Sequence, residues 1–315
     1  MFKKSILVGA VMALGMTTGA AFAEYPEKTI TVVVPSKAGG STDRTARLFT
    51  DLAEQNYEGF EFVIKNVPGS GGQKGFETIA RAEADGYTIG LVFTPQLVAH
   101  IVSGRAQYTL DSFHIMANTA QDAGIVVVPK DSPITDMASL AEAAKANALT
   151  VAVNGIGSDD FLAAKAFEAE TGTEFNLLPT KGSTEQKAAI LGGHVDAAFM
   201  NLSQMIKQHA AGDARIIAVL AEERDENMPD MPTAKEQGVP VLMRATRGFV
   251  APAGIDATIQ GQLDSMVTEI MASDEFKANA KTGSIFLLPM SGADYLSYLQ
   301  GLQSETQAVF DKAPW

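Results

Sequence analysis

Residues Val32–Asp43 read Val-Val-Val-Pro-Ser-Lys-Ala-Gly-Gly-Ser-Thr-Asp, and this stretch decides the fold class. Three β-branched residues run into a Gly-Gly loop, which opens onto a helix that we predict over Thr42–Tyr57. Backbone N–H groups at a helix start have no partner within the helix and lie at the positive end of its dipole. The stretch therefore predicts a strand–loop–helix unit whose loop binds a carboxylate or a phosphate.

The N-terminal segment has the pattern of an export signal. Lys3 and Lys4 precede a weakly apolar run over Ser5–Gly19, and Ala21-Phe22-Ala23 gives the small-x-small pattern of a cleavage site. The alternative is a retained anchor, but the run is shorter than the ~20 residues that span a bilayer. We therefore expect residues 1–23 to be a signal peptide, cleaved after Ala23, and the mature protein to be periplasmic.

Length and composition narrow the class of protein. The chain has 315 residues, no cysteine and a formal net charge of −13. It is longer than one core usually holds, so we expect two domains. The absence of cysteine excludes disulfides, thiolate metal sites and cysteine nucleophiles. The acidic balance argues against nucleic acid or anionic lipid as a partner, and we expect a monomer.

Short apolar runs alternate with longer helical patterns along the chain. Strands are predicted at Thr29–Val34, Glu61–Ile64, Thr88–Phe93, Gly124–Val128, Leu149–Val153, Phe175–Leu178, Ala197–Met200, Arg215–Leu220 and Gly248–Ala251. Helices are predicted at Thr42–Tyr57, Gln73–Ala82, Met137–Ala146, Asp159–Thr171, Thr184–Leu191 and Ser203–Ala211, and Ala257–Asp311 is largely helical. This βαβ rhythm predicts an α/β protein with mostly parallel sheets.

Two segments resemble each other and suggest where the chain passes between domains. Gly124–Lys130 and Gly248–Gly254 are both glycine-led apolar strands that reach a proline. Each could be the first strand after a crossover, which would give a discontinuous first lobe (24–123 and 247–315) and an inserted second lobe (124–246). Two consecutive domains are the alternative, and the pattern favours the discontinuous arrangement.

Polar loops at the carboxyl ends of strands supply the candidate ligand-binding residues, because clefts in open α/β sheets form there. The loop Asn66–Gly75, with four glycines in seven residues, either cradles the ligand or supports the first loop. The candidates are Ser36, Lys37, Ala38, Gly39, Gly40, Ser41, Thr42, Asp43 and Thr94 in the first lobe, and Gly157, Ser158, Asp160, Thr180, Lys181 and Gly182 in the second. Two glycine-rich loops at helix starts suit a small anion held at both ends.

Enzyme signatures are absent from the sequence. Gly155-Ile156-Gly157 lacks the third glycine of a dinucleotide loop, and Gly72-Gln73-Lys74 lacks the Gly-Lys-Ser/Thr of a phosphate loop. No Gly-x-Ser-x-Gly elbow is present, and the four histidines show no metal-ligand spacing. We predict no catalytic residue, no metal site and no cofactor.

A set of motifs, in order along the chain, resembles the periplasmic solute-binding proteins of the tripartite tricarboxylate transporters, the TctC/Bug type. The motifs are Tyr25-Pro26, Val34-Pro35 with Ala38–Asp43 and Ala46-Arg47, Asn66–Gly72, Asp85–Thr88, Gly155–Ser158, Pro179–Gly182, Gly193–Asp196, Pro232–Gly238 and Phe249–Gly254. The resemblance implies a two-lobed Venus-flytrap protein with two crossover hinge segments. It also implies capture of a di- or tricarboxylate, partly through bridging waters, and delivery to a permease of one large and one small subunit.

Some residues depart from that family's pattern and leave the ligand open. Ser36 replaces an aromatic residue and leaves more room, and Thr180 replaces a tyrosine and enlarges or wets the site. Lys37 stands where an uncharged residue is usual, and it either pairs with an extra carboxylate or points to solvent. Asp159 and Asp160 either receive the ammonium group of an amino acid or cap a helix. Arg44 and Arg244 add cations of unknown direction. An aromatic carboxylate as ligand and a role as a sensor subunit are the remaining alternatives.

Overall fold

The computed structural model describes residues 25–312 and 314–315, so the predicted signal peptide lies outside the described residues. The strands are β1 (Ile30–Val34), β2 (Phe62–Asn66), β3 (Thr88–Phe93), β4 (Phe113–Pro129), β5 (Thr150–Val153), β6 (Asn176–Pro179), β7 (Ala197–Asn201), β8 (Ala214–Leu220), β9 (Arg244–Pro252) and β10 (Leu287–Ser291). The helices are α1 (Ser41–Asn56), α2 (Gln73–Ala80), α3 (Gln96–Val102), α4 (Met137–Ala146), α5 (Asp159–Thr171), α6 (Ser183–Leu191), α7 (Leu202–Ala211), α8 (Ala257–Ala272), α9 (Asp274–Thr282) and α10 (Gly292–Lys312).

The strands form two sheets, one in each of two lobes. The first sheet has the order β2-β1-β3-β9-β4-β10, and the second has the order β6-β5-β7-β4-β8. In both sheets the strands of the βαβ units run parallel, whereas β9 and β4 run antiparallel to their neighbours. The parallel strands point their carboxyl ends toward the same edge, where the polar loops gather.

Strand β4 belongs to both sheets and joins the lobes. Its residues up to Ala123 pair with β9, whereas those from Gly124 onward pair with β7 and β8. The chain returns at Met243, which bonds Gly124 and Leu220, and then enters β9 at Arg244. We propose the division between the lobes at these two points, close to the expected 123/124 and 246/247.

Helices cover both faces of each sheet, which explains why the central strands are apolar on both sides. In the first lobe α1, α8 and α9 pack on one face, and α2, α3 and α10 pack on the other. Adjacent residues of β1 divide between these two cores, with Val32 in the first and Val33 in the second. In the second lobe α4 and α5 cover one face, and α6 and α7 cover the other.

The predicted elements agree with the structure where the apolar pattern is strong and fail where a strand carries polar residues. The predicted strand Gly124–Val128 is only the second half of β4, because Asn118 and Asp122 break the apolar pattern of the first half. Both side chains are buried and bonded, Asn118 to the Leu288 carbonyl and Asp122 to Arg247. The sequence does not predict helix α3, because its first five residues are all buried and the helix has no polar face. Strand β10 is not predicted either, and it interrupts the segment Ala257–Asp311 that is expected to be largely helical.

No helix in the described part of the chain is both long enough and apolar enough to cross a membrane.

The contact between the two crossover segments leaves no room for a side chain at Gly124. A Cβ there would lie 2.5 Å from the Met243 Cβ, so Gly124→Ala must push the two segments apart. We expect the free energy of unfolding to fall by roughly 1–3 kcal/mol, measured by urea denaturation. The control is Gly261→Ala on the open side of α8, where a Cβ meets nothing within 4 Å and a small gain is expected. Equal effects of the two substitutions would show that the crossover is loosely packed.

Candidate ligand-binding cleft

A cleft between the two lobes is lined by polar groups from both of them. Five helices, α1, α3, α5, α6 and α7, begin at its walls. The first lobe contributes Pro35, Ser36, Ser41, Thr42, Gly69, Gly71, Gly72, Phe93, Thr94, Gln96, Ala245 and Arg247; the second contributes Asn154, Asp159, Lys181, Gly182, Ser183, Asn201 and Gln204. A cleft between two lobes is a common position for a small-molecule site.

The first wall is the loop between β1 and α1. Gly40 precedes the helix without a side-chain cap, so the first N–H groups of α1 are left for a ligand. Asp43 faces back into the loop, where it accepts hydrogen bonds from the Gly39 N–H, Arg47 and Asn66. Burial alone would raise the pKa of Asp43, but these bonds outweigh it and hold the pKa below its usual range. The Asp43 carboxylate is therefore ionised, and its hydrogen bonds hold the loop in place.

The glycine loop before α2 both lines the cleft and supports the first loop. Gly69, Gly71 and Gly72 have φ of +133°, +61° and +92°, backbone conformations that favour glycine. A Cβ at Gly75, in the first turn of α2, would lie 2.5 Å from Pro35, so the start of this helix packs closely against the first loop. His100 lies behind the loop with its Nε2 3.3 Å from the Gly71 carbonyl, and burial lowers the pKa of His100 to about 4. At neutral pH this histidine is an uncharged structural support.

The second lobe presents three helix starts to the cleft. Helix α6 begins after Gly182 without a side-chain cap, whereas Ser158 caps α5 by accepting from the Phe161 N–H. The amide of Asn201, at the start of α7, donates to Asp159 over 2.8 Å. The opening of α6 therefore offers backbone donors, and the opening of α5 offers a carboxylate.

Arg247 on β9 is the buried cation of the cleft. Its guanidinium Nη2 lies 3.1 Å from the Asp122 carboxylate, and both side chains are almost fully buried. Asp122 also accepts from the backbone N–H and the hydroxyl of Ser203, at the start of α7. One carboxylate in the crossover strand therefore holds both the cation and a helix of the opposite lobe.

Three buried polar atoms of cleft-lining side chains have no hydrogen-bond partner among the residues described. They are the Arg247 Nε, the Ser36 hydroxyl oxygen and the Gln96 Oε1. Buried polar groups are normally paired, because an unpaired one costs about 1–3 kcal/mol. Their presence together in one cleft indicates that a bound molecule completes their hydrogen bonds.

Two adjacent acids are buried at the start of α5. Burial raises the pKa of Asp159, and burial together with the neighbouring Asp159 charge raises the pKa of Asp160. Asp160 faces inward and accepts from the Asn154 N–H and Gln186, whereas Asp159 lines the cleft. The two acids therefore have different roles, one inside the lobe and one facing the ligand space.

Several contacts bridge the lobes around the cleft. Gln96 Nε2 donates to Asp159 over 3.4 Å, and the Lys37 ammonium lies 3.6 Å from the Glu185 carboxylate. A Cβ at Gly40 would meet the Ser183 hydroxyl at 3.4 Å. The walls of the cleft are thus close enough to surround a small molecule.

The family model described as the tripartite tricarboxylate transporter family receptor matches residues 47–313. This chain belongs to that family. Proteins of the family are periplasmic solute-binding receptors that work with membrane transporters and are not enzymes. The predicted fold class and the predicted absence of enzymatic activity are confirmed.

Known proteins align with most of the length of this receptor. Protein BugT of Bordetella pertussis is 29% identical over 255 residues, which are 79% of this chain and 78% of BugT. The structure of the periplasmic binding protein BugD has a TM-score of 0.84 at 25% identity and covers 92% of this chain and 98% of its own. A protein of R. palustris solved with adipate has a TM-score of 0.84 at 26% identity, with 91% and 98% covered.

Some of the predicted ligand-binding residues line the cleft, whereas others lie at its rim or behind its walls. Ser36, Ser41, Thr42, Thr94, Lys181 and Gly182 line it. Ala38 and Gly39 form the exposed rim of the first loop, Lys37 reaches Glu185, and Gly40 and Asp43 set the start of α1. Ser158, Asp160 and Thr180 support the second wall, where the Thr180 hydroxyl donates to the Val153 carbonyl. Gly157 lies instead against Arg105, Trp315 and Ala99.

Sequence reasoning missed several residues that line the cleft, chiefly Gln96, Asn201, Gln204, Ala245 and Arg247. It considered Arg244 and Arg44 as cations instead. Arg244 is exposed and lies over the Tyr298 ring, whereas Arg44 donates to the Gly39 carbonyl. The sequence does contain a sign of Arg247, because this charged residue directly precedes the apolar run Gly248–Ala251 in the same strand. A buried arginine in a strand implies a buried acid partner.

The Arg247–Asp122 pair gives a test that separates stability from ligand binding. Arg247→Gln leaves Asp122 buried without its cation, so we expect a loss of about 3–5 kcal/mol in the free energy of unfolding. The double variant Arg247→Gln with Asp122→Asn should regain most of this stability, because no unpaired charge remains. Affinity for carboxylates should stay low in both variants, measured by calorimetry. Restored binding in the double variant would contradict a direct role of Arg247.

The buried Asp160 gives a stability that depends on pH. Its pKa is raised on folding, so the native state binds more protons than the unfolded state between about pH 4 and the raised value. Stability therefore falls as pH rises through that window. We expect Asp160→Asn to gain stability relative to the parent protein as pH rises, by up to ~1.4 kcal/mol per pH unit.

The control for this test is Asp136, an exposed helix cap whose pKa is lowered by the Ser139 N–H and hydroxyl. Asp136→Asn should lose stability at pH above its usual pKa, which is the opposite sign. Urea denaturation between pH 4 and pH 8 measures both differences. A difference for Asp160→Asn that is constant over this range would show that folding does not raise the pKa of Asp160, because the folded and unfolded states would then bind equal numbers of protons.

Proposed function

We propose that this receptor binds a small organic acid, a di- or tricarboxylate, in the interlobe cleft and delivers it to a membrane permease of one large and one small subunit. The observation that carries the proposal is the buried Arg247, which lines the cleft and whose Nε has no partner among the described residues. A carboxylate oxygen is the natural acceptor for this N–H.

Backbone groups supply the rest of the anion site. Helices α1 and α6 begin on opposite walls of the cleft, at Ser41 and Ser183, and neither has a side-chain cap. Their N–H groups carry partial positive charge and need no counter-ion inside the protein. The hydroxyls of Ser36, Ser41 and Thr42 add donors on the first wall. This arrangement suits an acid whose carboxylates reach both lobes.

The protein's strong negative charge does not oppose this proposal. Surface charges are screened within about 8 Å at physiological ionic strength, whereas the cleft is lined by donors in direct contact range. The adipate-bound R. palustris relative supports the ligand class, because it shares the fold over nine-tenths of this chain.

Release and delivery require the lobes to separate about the crossover segments, β4 at Gly124 and the turn at Met243. A ligand held by both lobes stabilises the closed form by its difference in affinity between the two forms. Closure also removes water from the carboxylates and presents one defined surface to a permease. We propose that the receptor acts as a monomer in this cycle.

Thermal unfolding with a panel of acids tests the ligand class. Succinate, adipate and citrate are compared with benzoate, which has one carboxylate. A di- or tricarboxylate at 100 times its dissociation constant should raise the free energy of unfolding by about 2.7 kcal/mol. Stabilisation by benzoate alone would contradict the proposal, because one carboxylate cannot reach both walls.

Gly40→Val tests the position of the site. Its φ is −72°, so valine is tolerated by the backbone, but the side chain would lie against the Lys37 carbonyl, Ser183 and Ser36 at the gap between the lobes. We expect affinity to fall at least tenfold, and thermal unfolding checks that the variant is folded. Gly301→Val on α10, where a Cβ meets nothing within 4 Å, is the control and should bind like the parent. Unchanged affinity in Gly40→Val would remove the first loop from the site.

A further inference from the structure

Asp159 is an acid in a cleft otherwise built to attract anions. Its side chain lines the cleft and is almost fully buried. A second carboxylate brought next to it would meet repulsion in a setting where water cannot screen the charges. The presence of Asp159 therefore limits which organic acids the cleft can accept.

The carboxylate of Asp159 has amide partners but no ion-pair partner within 4 Å in the described part of the chain. Asn201 donates to its Oδ2 over 2.8 Å and Gln96 to its Oδ1 over 3.4 Å. Burial raises the pKa of Asp159 and the Arg247 charge partly offsets this rise, but the Arg247 guanidinium is already paired with Asp122. Buried charges in proteins are normally paired, so the counter-charge of Asp159 is expected from outside the chain.

Gln96 places a second acceptor next to Asp159. Its Nε2 donates to Asp159, so its Oε1 is an acceptor, and this buried oxygen has no partner among the residues described. Asp159 and Gln96 lie on opposite lobes, at the starts of α5 and α3. A group that donates to both would have several hydrogens and a positive charge, which describes an ammonium group.

Several donors also line the cleft. The Arg247 Nε and the uncapped starts of α1 and α6 are all donors, and the Lys181 side chain lines the second wall. The cleft thus separates into a donor region for carboxylates and an acceptor region at Asp159 and Gln96.

We propose that Asp159 is the specificity-determining residue and that it selects a dicarboxylate with a protonated amine, the class of the acidic amino acids. This inference rests on the proposed function, which supplies the carboxylates. Asp159 and the Gln96 Oε1 accept from the ammonium group, and Arg247 with the helix starts binds the carboxylates.

The charges facing Asp159 from each packed element fit this assignment. Asp160 adjoins it on α5, Arg247 on β9 is the cation that acts on it, and its hydrogen-bond partners Gln96 and Asn201 are neutral. Burial raises the pKa of Asp159. An ammonium group stabilises the ionised form and lowers that pKa, whereas a carboxylate beside it raises the pKa further and makes the acid take up a proton.

Matched ligands isolate the amine. Succinate, malate and aspartate share one four-carbon skeleton and differ only in a hydrogen, a hydroxyl or an ammonium at one carbon. Glutarate, 2-hydroxyglutarate and glutamate repeat the comparison with five carbons. In calorimetry at pH 7.5, we expect the amino acid of at least one series to bind tenfold or more tightly than its hydroxy and unsubstituted partners.

Asp159→Asn tests the residue. The variant keeps an oxygen to accept from Asn201 but loses the charge, so affinity for the amino acid should fall at least tenfold while affinity for succinate or glutarate stays equal or rises. Glu168→Gln is the matched control, a buried acid on the far end of the same helix that bonds the Phe175 N–H. It should bind like the parent, and thermal unfolding confirms that both variants are folded.

Proton uptake gives an independent readout. Calorimetry in buffers of different ionisation enthalpy should show no net proton uptake when the amino acid binds and measurable uptake when malate or succinate binds. Asp159→Asn should abolish that uptake.

The outcomes separate the two proposals. If succinate, malate, adipate or citrate binds at least as tightly as aspartate and glutamate, the role of Asp159 is overturned and the organic-acid function stands. If none of these acids binds, the proposed function fails and this inference fails with it. If the amino acid binds best but Asp159→Asn does not change its preference, the ammonium group lies elsewhere and the inference is overturned.

Discussion

The Asp122 carboxylate holds the arrangement of the cleft together. It lies on β4 directly before the point where this strand passes from one sheet to the other, and it binds Arg247 of β9 and Ser203 of α7. Because Asp122 neutralises one side of the guanidinium, Arg247 can be buried in the wall of the cleft with its Nε unpaired among the described residues. The same carboxylate connects the cation of one lobe with a helix start of the other, next to the crossover.

Backbone dipoles, rather than surface charge, explain how a chain of net charge −13 can bind an anion. Each lobe presents a helix start whose N–H groups are not capped by a side chain, and the interlobe contacts bring these starts together. Such groups cost little to bury, since they need no counter-ion in the empty site. They also explain why glycine dominates the loops, because a Cβ at Gly40 would project into the gap.

The sequence predicted the βαβ units and several cleft residues well, because these depend on local patterns. The apolar run of β1 and the glycine loop after it identify the first wall, with Ser41 and Thr42 at the helix start. Arg247 was missed because its partner Asp122 is more than a hundred residues away and only the folded sheet pairs them. The first half of β4 was missed for the same reason, since its polar residues are satisfied by distant elements.

A crystal structure of the receptor grown with a bound dicarboxylate or acidic amino acid shows directly whether a ligand carboxylate binds Arg247 and the helix starts between the lobes. We expect a carboxylate oxygen within hydrogen-bond distance of the Arg247 Nε, with further contacts to the first turns of α1 and α6. A ligand found outside this cleft, or inside it with the Arg247 Nε still unpaired, would rule out this binding mode.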